Sequence, residues 1–214
     1  MNVQSPVQPP GASVPVLLRE DAGGVAILTL DRPATRNSLS EAMLAALTAA
    51  FADIAADTRI RAVVLAANGP AFSAGHDLKE FTARRSDPDG GRAYTRRIMA
   101  ACSAMMQAIV TLPQPVIAAV EGPAAAAGCQ LVASCDLAIA AATAKFSTPG
   151  VQIGLFCSTP MVALSRNVSR KHAMEMLLTG ESIAAERASE IGLVNRVVAP
   201  GTARDESIRL AGKI

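Results

Sequence analysis

Aromatic side chains are scarce in this chain of 214 residues, which has no tryptophan, one tyrosine and five phenylalanines. Large rings therefore supply little of the interior, and closely packed aliphatic side chains must fill it instead. Half of the residues are apolar, which is enough for one sizeable core in a chain of this length.

Histidine and cysteine are also rare, with two and four residues respectively. Cys102, Cys129, Cys135 and Cys157 fall at spacings that match no zinc or redox motif. They are interpreted as reduced thiols, mostly within the core. We therefore expect neither a metal site nor a redox cofactor.

Neither sign of charge is in large excess, since 20 basic residues face 18 acidic ones and the net charge is +2. No basic run is interleaved with aromatic residues, so no nucleic-acid partner is predicted. The apolar stretch 116–144 contains Glu121, Pro123, Gln130 and Asp136, which exclude a membrane-spanning segment.

The first fourteen residues contain no basic side chain, because Arg19 is the first in the chain. They lack the charged start of a secretion signal and the arginines of a mitochondrial transit peptide. Residues 1–14 are therefore predicted to be a disordered leader, and the protein is predicted to be cytoplasmic.

Apolar periodicity predicts alternating strands and helices. The predicted strands are 25–30, 62–65, 116–120, 137–140 and 193–198. The clearest predicted helices are one whose apolar face runs from Met43 to Ile54 and three more at 92–110, 171–178 and 205–214. Ser38 and Glu41 have the spacing of a capping box at the start of the first helix. The alternation predicts an α/β domain with crossover connections over residues 15–200, followed at 201–214 by the start of a C-terminal helical region.

Two turns of small residues are the most informative segments. Residues 72–77 read FSAGHD and residues 121–131 read EGPAAAAGCQL. Each turn leads into a predicted helix, so each can direct free backbone N–H groups at a negative charge. Two such turns can form an oxyanion hole, which stabilises negative charge on a carbonyl oxygen.

The order of motifs from about Val16 to Val198 resembles the crotonase (enoyl-CoA hydratase/isomerase) superfamily, and within it the subgroup called enoyl-CoA hydratase domain-containing protein three. The motifs are Asp31-Arg32-Pro33 with Asn37, Phe72 to Asp77, Pro115 to Leu131, Cys135-Asp136, Thr148-Pro149 with Gly154, Leu178-Thr179-Gly180 and Gly192-Leu193-Val194. The resemblance implies an α/β spiral fold of repeated ββα units and an acyl-CoA thioester as substrate.

The resemblance also implies a set of site residues. The backbone N–H groups of His76 and Ala127 form the oxyanion hole, and Lys79 lies near the CoA phosphates. Ala74, Gly75, Asp77 and Gly128 complete the substrate-binding segments. The imidazole of His76 is an alternative acid or base, although a backbone role is favoured, and Asp77 is interpreted chiefly as the first residue of a helix.

Gln130 and Gly150 stand where hydratases of this superfamily carry their two catalytic glutamates. Glutamine can orient water but cannot take up a proton near neutral pH, and glycine has no side chain. The sequence therefore indicates a hydratase/isomerase with weak or altered activity, a non-catalytic acyl-CoA-binding protein, or a thioesterase. A relocated acid, base or nucleophile has the following candidates: Glu121, Cys129, Asp136, Cys157, Ser158 and Thr159.

Crotonase-like proteins normally continue into a helical region that caps the acyl-CoA pocket and packs between subunits. This chain stops at Ile214, within what is predicted to be the first of those helices, so the region is expected to be truncated. With that region complete, a homotrimer or hexamer is expected.

Overall fold

The computed structural model of the protein describes residues 15–214. Its strands are β1 (Leu17–Ala22), β2 (Val25–Leu30), β3 (Ala62–Ala67), β4 (Val116–Val120), β5 (Ala124–Ala125), β6 (Leu137–Ala141), β7 (Lys145–Ser147), β8 (Ile183–Ala184) and β9 (Arg196–Val198). Its α-helices are α1 (Glu41–Ala56), α2 (Leu78–Ala83), α3 (Arg92–Thr111), α4 (Ala127–Ser134), α5 (Ser158–Asn167), α6 (Arg170–Thr179), α7 (Ala185–Glu190) and α8 (Ala203–Ala211). This alternation confirms the predicted α/β class.

A six-stranded sheet with the order β1-β2-β3-β4-β6-β9 organises the chain. Strand β1 pairs with β2 in antiparallel register, whereas the remaining neighbours are parallel. A smaller sheet has the order β5-β7-β8. Because β5 directly precedes α4, this smaller sheet fixes where α4 begins.

Helices cover both faces of the six-stranded sheet. Strand β2 has the sequence VAILTL and is buried at every position, as expected for a strand enclosed on both sides. The buried faces of α1 and α3 pack on one side, in the larger apolar cluster. Helix α8 packs on the other side, where Ile208, Leu210 and Ala211 join a second cluster with Ile27 and Ile117.

The carboxylate of Glu121 holds the start of α8. Its two oxygens accept hydrogen bonds from the N–H groups of Gly201, at 2.8 Å, and Ala203, at 2.6 Å. A carboxylate is favourable at this end of a helix because the first N–H groups are unpaired there. Helix α8 is therefore attached to the chain just before β5.

Several predicted boundaries differ from the structure. The helix α1 is capped by Ser40, whose hydroxyl accepts from the Met43 N–H at 3.3 Å, and the predicted capping box at Ser38 is wrong. Ser38 instead donates to Asp77 at 3.0 Å. Of the predicted strand 193–198 only β9 forms, and β1 was not predicted.

The predicted leader, residues 1–14, lies outside the described residues. In the part of the chain that the structure describes, no helix has the length and apolar character needed to cross a membrane.

Candidate active site

Residues 72–77 lie between two other backbone segments. On one side the Ala74 N–H donates to the Arg36 carbonyl at 3.0 Å, and the Leu39 N–H donates to the Gly75 carbonyl at 2.8 Å. On the other side the Phe72 N–H donates to the Pro123 carbonyl at 3.0 Å. The two turns singled out from the sequence are therefore hydrogen-bonded neighbours.

Two glycines allow the turns to approach closely. A Cβ on Gly128 would lie 2.2 Å from the carbonyl oxygen of Ser73, so any other residue there would collide with backbone. Gly75 has a φ of +88°, and a Cβ on it would lie 3.1 Å from the Ala127 nitrogen. Gly75 and the start of α4 are thus brought together, as the oxyanion-hole prediction requires.

The backbone N–H groups of His76 and Ala127 are both available. Neither donates a hydrogen bond to another atom within residues 15–214. Ala127 is the first residue of α4, and Ala126 before it has a φ of 51° and a ψ of −118°. That conformation is unusual for a residue with a Cβ and costs about 1–3 kcal/mol, which is typical of functional sites.

The imidazole of His76 is partly buried. Its ring packs edge-to-face on Phe81 with centroids 5.8 Å apart, and its Nδ1 is buried with no hydrogen-bond partner in the described residues. Burial lowers the pKa of His76, so the ring is neutral near pH 7. This environment favours the backbone role over the general-acid role.

Asn37 fastens the first turn to the rest of the domain. Its side chain accepts from the Arg32 N–H at 2.8 Å and donates to the carbonyls of Asn68, at 2.8 Å, and Ala71, at 2.9 Å. Its own carbonyl accepts from the Ser73 hydroxyl at 2.9 Å. This role of Asn37 was not predicted from its position in the motif, although asparagine suits its φ of 51°.

Asp77 is the N-cap of α2 and directly precedes its first residue. Its carboxylate accepts from the Lys79 N–H at 3.0 Å and from the Ser38 hydroxyl. Lys79 is exposed on this short helix, and Ala74 is exposed on the turn before it. These positions leave Lys79 open to a ligand at the surface.

A cavity of about 720 Å³ lies between α3, α4 and α5. Gln130 lines it together with Met106 of α3 and Thr159 of α5. Gln130 is 7% exposed, and its carboxamide oxygen has no hydrogen-bond partner among residues 15–214. From Gln130 the cavity lining continues along the later part of α4, through Ala133 and Ser134.

Gly150 is closely covered by the chain that follows it. A Cβ there would lie 2.3 Å from the carbonyl oxygen of Leu155 and 2.7 Å from Sγ of Cys157. The Leu155 N–H also donates to the Gly150 carbonyl at 2.9 Å. The position has no space for a side chain, so the structure supplies no acid or base from it.

The candidate relocated carboxylates already have structural partners. Glu121 caps α8, as described above. One oxygen of Asp136 accepts from the Val116 N–H at 2.7 Å, while the exposed residue also lines the cavity. Of the hydroxyl candidates, Ser158 and Thr159 are exposed in the first turn of α5, and Thr159 alone of these two lines the cavity.

The four cysteines are buried and unpaired, in agreement with the prediction of reduced core thiols. Burial raises the pKa of Cys102 to about 11 and that of Cys129 to about 12. Both groups are therefore protonated near pH 7 and unsuited to act as nucleophiles.

Comparison with known proteins identifies a single family. The family model described as enoyl-CoA hydratase/isomerase matches residues 20–214. Human "Enoyl-CoA hydratase domain-containing protein 3, mitochondrial" is 48% identical over 191 residues, which are 89% of this chain and 61% of that protein. The Danio rerio protein of the same name is 43% identical over 95% of this chain and 69% of its own length. This chain thus spans about three fifths of the human relative.

Solved structures give the same result. The crystal structure of an enoyl-CoA hydratase from Mycobacterium smegmatis has a TM-score of 0.88 and 56% identity, over 94% of this chain and 77% of that one. The structure of human enoyl-CoA hydratase domain-containing protein 3 has a TM-score of 0.86 and 44% identity, over 92% of this chain and 76% of that one. The resemblance to the superfamily and its fold is confirmed.

The same relatives contradict the predicted cytoplasmic location. The human, rat and Danio rerio proteins are all named as mitochondrial. The prediction was wrong because it rested on the absence of arginine from residues 1–14, and that absence alone does not establish a compartment.

Replacing Asn37 by alanine should lower the free energy of unfolding by about 3 kcal/mol, because the carbonyls of Asn68 and Ala71 and the N–H of Arg32 lose their partner. Urea denaturation measures this change. Asn68→Ala is the matched control, since the Asn68 side chain makes only an exposed hydrogen bond to Asp31 and should cost under about 1 kcal/mol. Equal effects of the two substitutions would contradict the fastening role of Asn37.

Alkaline pH should destabilise the fold through Cys129. The thiol titrates near its ordinary value of 9.0 in the unfolded chain but near 12 in the folded one. The unfolded state therefore binds fewer protons between these values, and the free energy of unfolding falls as pH rises, by up to about 1.4 kcal/mol per pH unit. Urea denaturation across this range should show a smaller fall for Cys129→Ala than for the wild type. Parallel profiles would contradict the assignment.

Proposed function

This chain belongs to the enoyl-CoA hydratase/isomerase family, and we propose that it binds acyl-CoA thioesters with the thioester oxygen held between the N–H groups of His76 and Ala127. The observation that carries this proposal is a pair of N–H groups with no hydrogen bond to any residue in 15–214, on two turns that contact each other through Gly75 and the start of α4. Donors fixed in this way contribute about 3 kcal/mol each to stabilising an oxyanion.

The rest of the ligand follows from the same geometry. Gly75 and Gly128 provide the close backbone approach that forms the hole, while Ala74 and Asp77 flank it. The exposed Lys79, within the first turn of α2, is suited to the CoA phosphates. The acyl group enters the cavity between α3, α4 and α5. The proposal needs no metal or redox cofactor.

Efficient hydration is not part of the proposed activity. Gln130 cannot accept a proton near neutral pH. The space beside Gly150 is filled by the Leu155 carbonyl and the Cys157 sulfur, neither of which supplies a carboxylate there. Loss of general acid–base catalysis typically costs about 100- to 10,000-fold in rate. The site is therefore suited to thioester binding with slow hydratase or isomerase turnover.

Thioester hydrolysis is less well supported. The Cys129 thiol is protonated at neutral pH, and Cys157 is buried against Gly150. Glu121 is engaged at α8. A nucleophile or base for a water molecule would have to come from Asp136 or Thr159.

We also propose that copies of the protein associate as a homotrimer or hexamer when the C-terminal helical region is complete. Val110 and Val162, both on the cavity wall, are 60% and 48% exposed. Exposed apolar side chains that neighbour each other on a surface favour association.

Binding should depend on the N–H group of residue 76 and not on its imidazole. His76→Ala keeps the donor and should bind octanoyl-CoA within about twofold of the wild type, whereas His76→Pro removes it and should weaken binding at least about fivefold. Calorimetric titration measures both, and thermal unfolding identifies any variant that has lost its fold. Loss of binding in folded His76→Ala would assign the role to the imidazole instead.

Turnover should be limited by the missing carboxylates. Wild-type hydration of crotonyl-CoA should be far below about 10 per second, a typical enzyme turnover, and Gln130→Glu should raise it at least about tenfold. Ultraviolet absorbance follows loss of the enoyl thioester, and a thiol reagent in the same sample follows hydrolysis. Wild-type hydration near the typical value would show that another residue already transfers the proton, and rapid thiol release would indicate a thioesterase.

A further inference from the structure

Helix α2, which carries Lys79, has no buried face of its own. None of its six residues is buried. Most of the stability of a helix within a protein comes from the packing of a buried face, and a helix this short is marginal by itself. The position of Lys79 therefore depends on the contacts that side chains of α2 make with neighbouring helices.

Glu80 joins α2 to two other helices. Its Oε2 accepts a hydrogen bond from the backbone N–H of Glu41, at 3.0 Å, and another from the hydroxyl of Tyr94, at 3.1 Å. Glu41 is the first residue of α1, where the helix dipole favours a carboxylate, and Tyr94 lies in the first turn of α3. One oxygen atom thus links α2 to the starts of α1 and α3.

The ring of Tyr94 is itself held on several sides. The residue is only 8% exposed, and its ring packs edge-to-face on Phe81 of α2, with the centroids 5.8 Å apart. The guanidinium groups of Arg84 and Arg97 lie 5.3 and 5.1 Å from its centroid, within the range of a cation–π interaction. The hydroxyl therefore offers Glu80 a donor at a defined place.

We propose that Glu80 is a positioning residue for the CoA end of the site, because it holds α2 where Lys79 meets the CoA phosphates. Adjacent residues on a helix point about 100° apart, so Lys79 faces another direction when Glu80 faces α1 and α3. Lys79 is accordingly exposed. This inference rests on the proposed function, since it requires Lys79 to contact the CoA phosphates.

The link made by Glu80 and its negative charge have opposite effects on an anionic ligand. A carboxylate beside CoA phosphates repels them, so loss of the charge alone would strengthen binding. Loss of the link releases α2 and would weaken binding. Glu80→Gln removes the charge but keeps an oxygen that can accept both hydrogen bonds, whereas Glu80→Met has a similar length and removes both the charge and the acceptor.

Calorimetric titration with octanoyl-CoA compares these two variants with the wild type. Glu80→Gln should bind within about twofold of the wild type. Glu80→Met should bind about threefold to fivefold more weakly, which is the effect expected when one exposed contact between opposite charges is lost. Since the two variants share the same change of charge, the difference between them measures the link alone.

The variant Lys79→Met shows whether Glu80 acts through Lys79. In this background Glu80→Met should change the dissociation constant by no more than about 1.5-fold, because the contact that it positions has already been removed. A role in stability alone would weaken binding by the same factor in both backgrounds. Thermal unfolding of each variant measures the loss of stability separately.

Each outcome has a distinct meaning. Weaker binding by Glu80→Met but not by Glu80→Gln, with no further effect in Lys79→Met, supports the proposal. Equal effects of Glu80→Met in both backgrounds overturn it, and so do equal effects of the Gln and Met substitutions or no effect of either.

Failure of the proposed function gives different results. If Lys79→Met binds octanoyl-CoA as tightly as the wild type, Lys79 has no role in binding and this inference is wrong, while thioester binding in the oxyanion hole still stands. If the wild type does not bind octanoyl-CoA, the proposed function itself is wrong, and this inference falls with it.

Discussion

The contact between Gly128 and the carbonyl of Ser73 is the constraint on which the site depends. A Cβ at residue 128 would lie 2.2 Å from that oxygen, so the segments approach this closely only because glycine is present. The contact sets the start of α4 against the turn at Gly75. The direction of the Ala127 N–H, and the position of Gln130 one turn later, both follow from it.

The main elements could be predicted because their signals are local. Continuous apolar runs predicted β2, β3, β4 and β6, and helical spacing from Met43 to Ile54 predicted the buried face of α1. Ser38 and Ser40 were not distinguished, since what separates them is the partner of Ser38, Asp77, 39 residues away. Sequence spacing carries no information on such a contact. Strand β1 was not predicted because it is a largely exposed edge strand without a continuous apolar run.

Part of the candidate site could also be predicted from the sequence, because the signals that mark it are local. Small residues and glycines marked both turns, and the superfamily pattern located Gln130 and Gly150. The sequence did not indicate that the Leu155 carbonyl fills the space beside Gly150, or that Glu121 is engaged at α8. Both facts depend on how distant backbone segments fold back. They matter because they reduce the number of groups that can move a proton.

The bond from Glu121 to α8 links two regions that lie on different parts of the molecule. Glu121 precedes Pro123, whose carbonyl pairs with Phe72, and its carboxylate holds the first turn of α8 across the sheet. Two N–H groups at the start of α8 therefore depend on a side chain that lies two residues before the Pro123 carbonyl. The start of α8 and the second small-residue turn are thus held at one point of the backbone, although Gly201 follows Glu121 by 80 residues in the sequence.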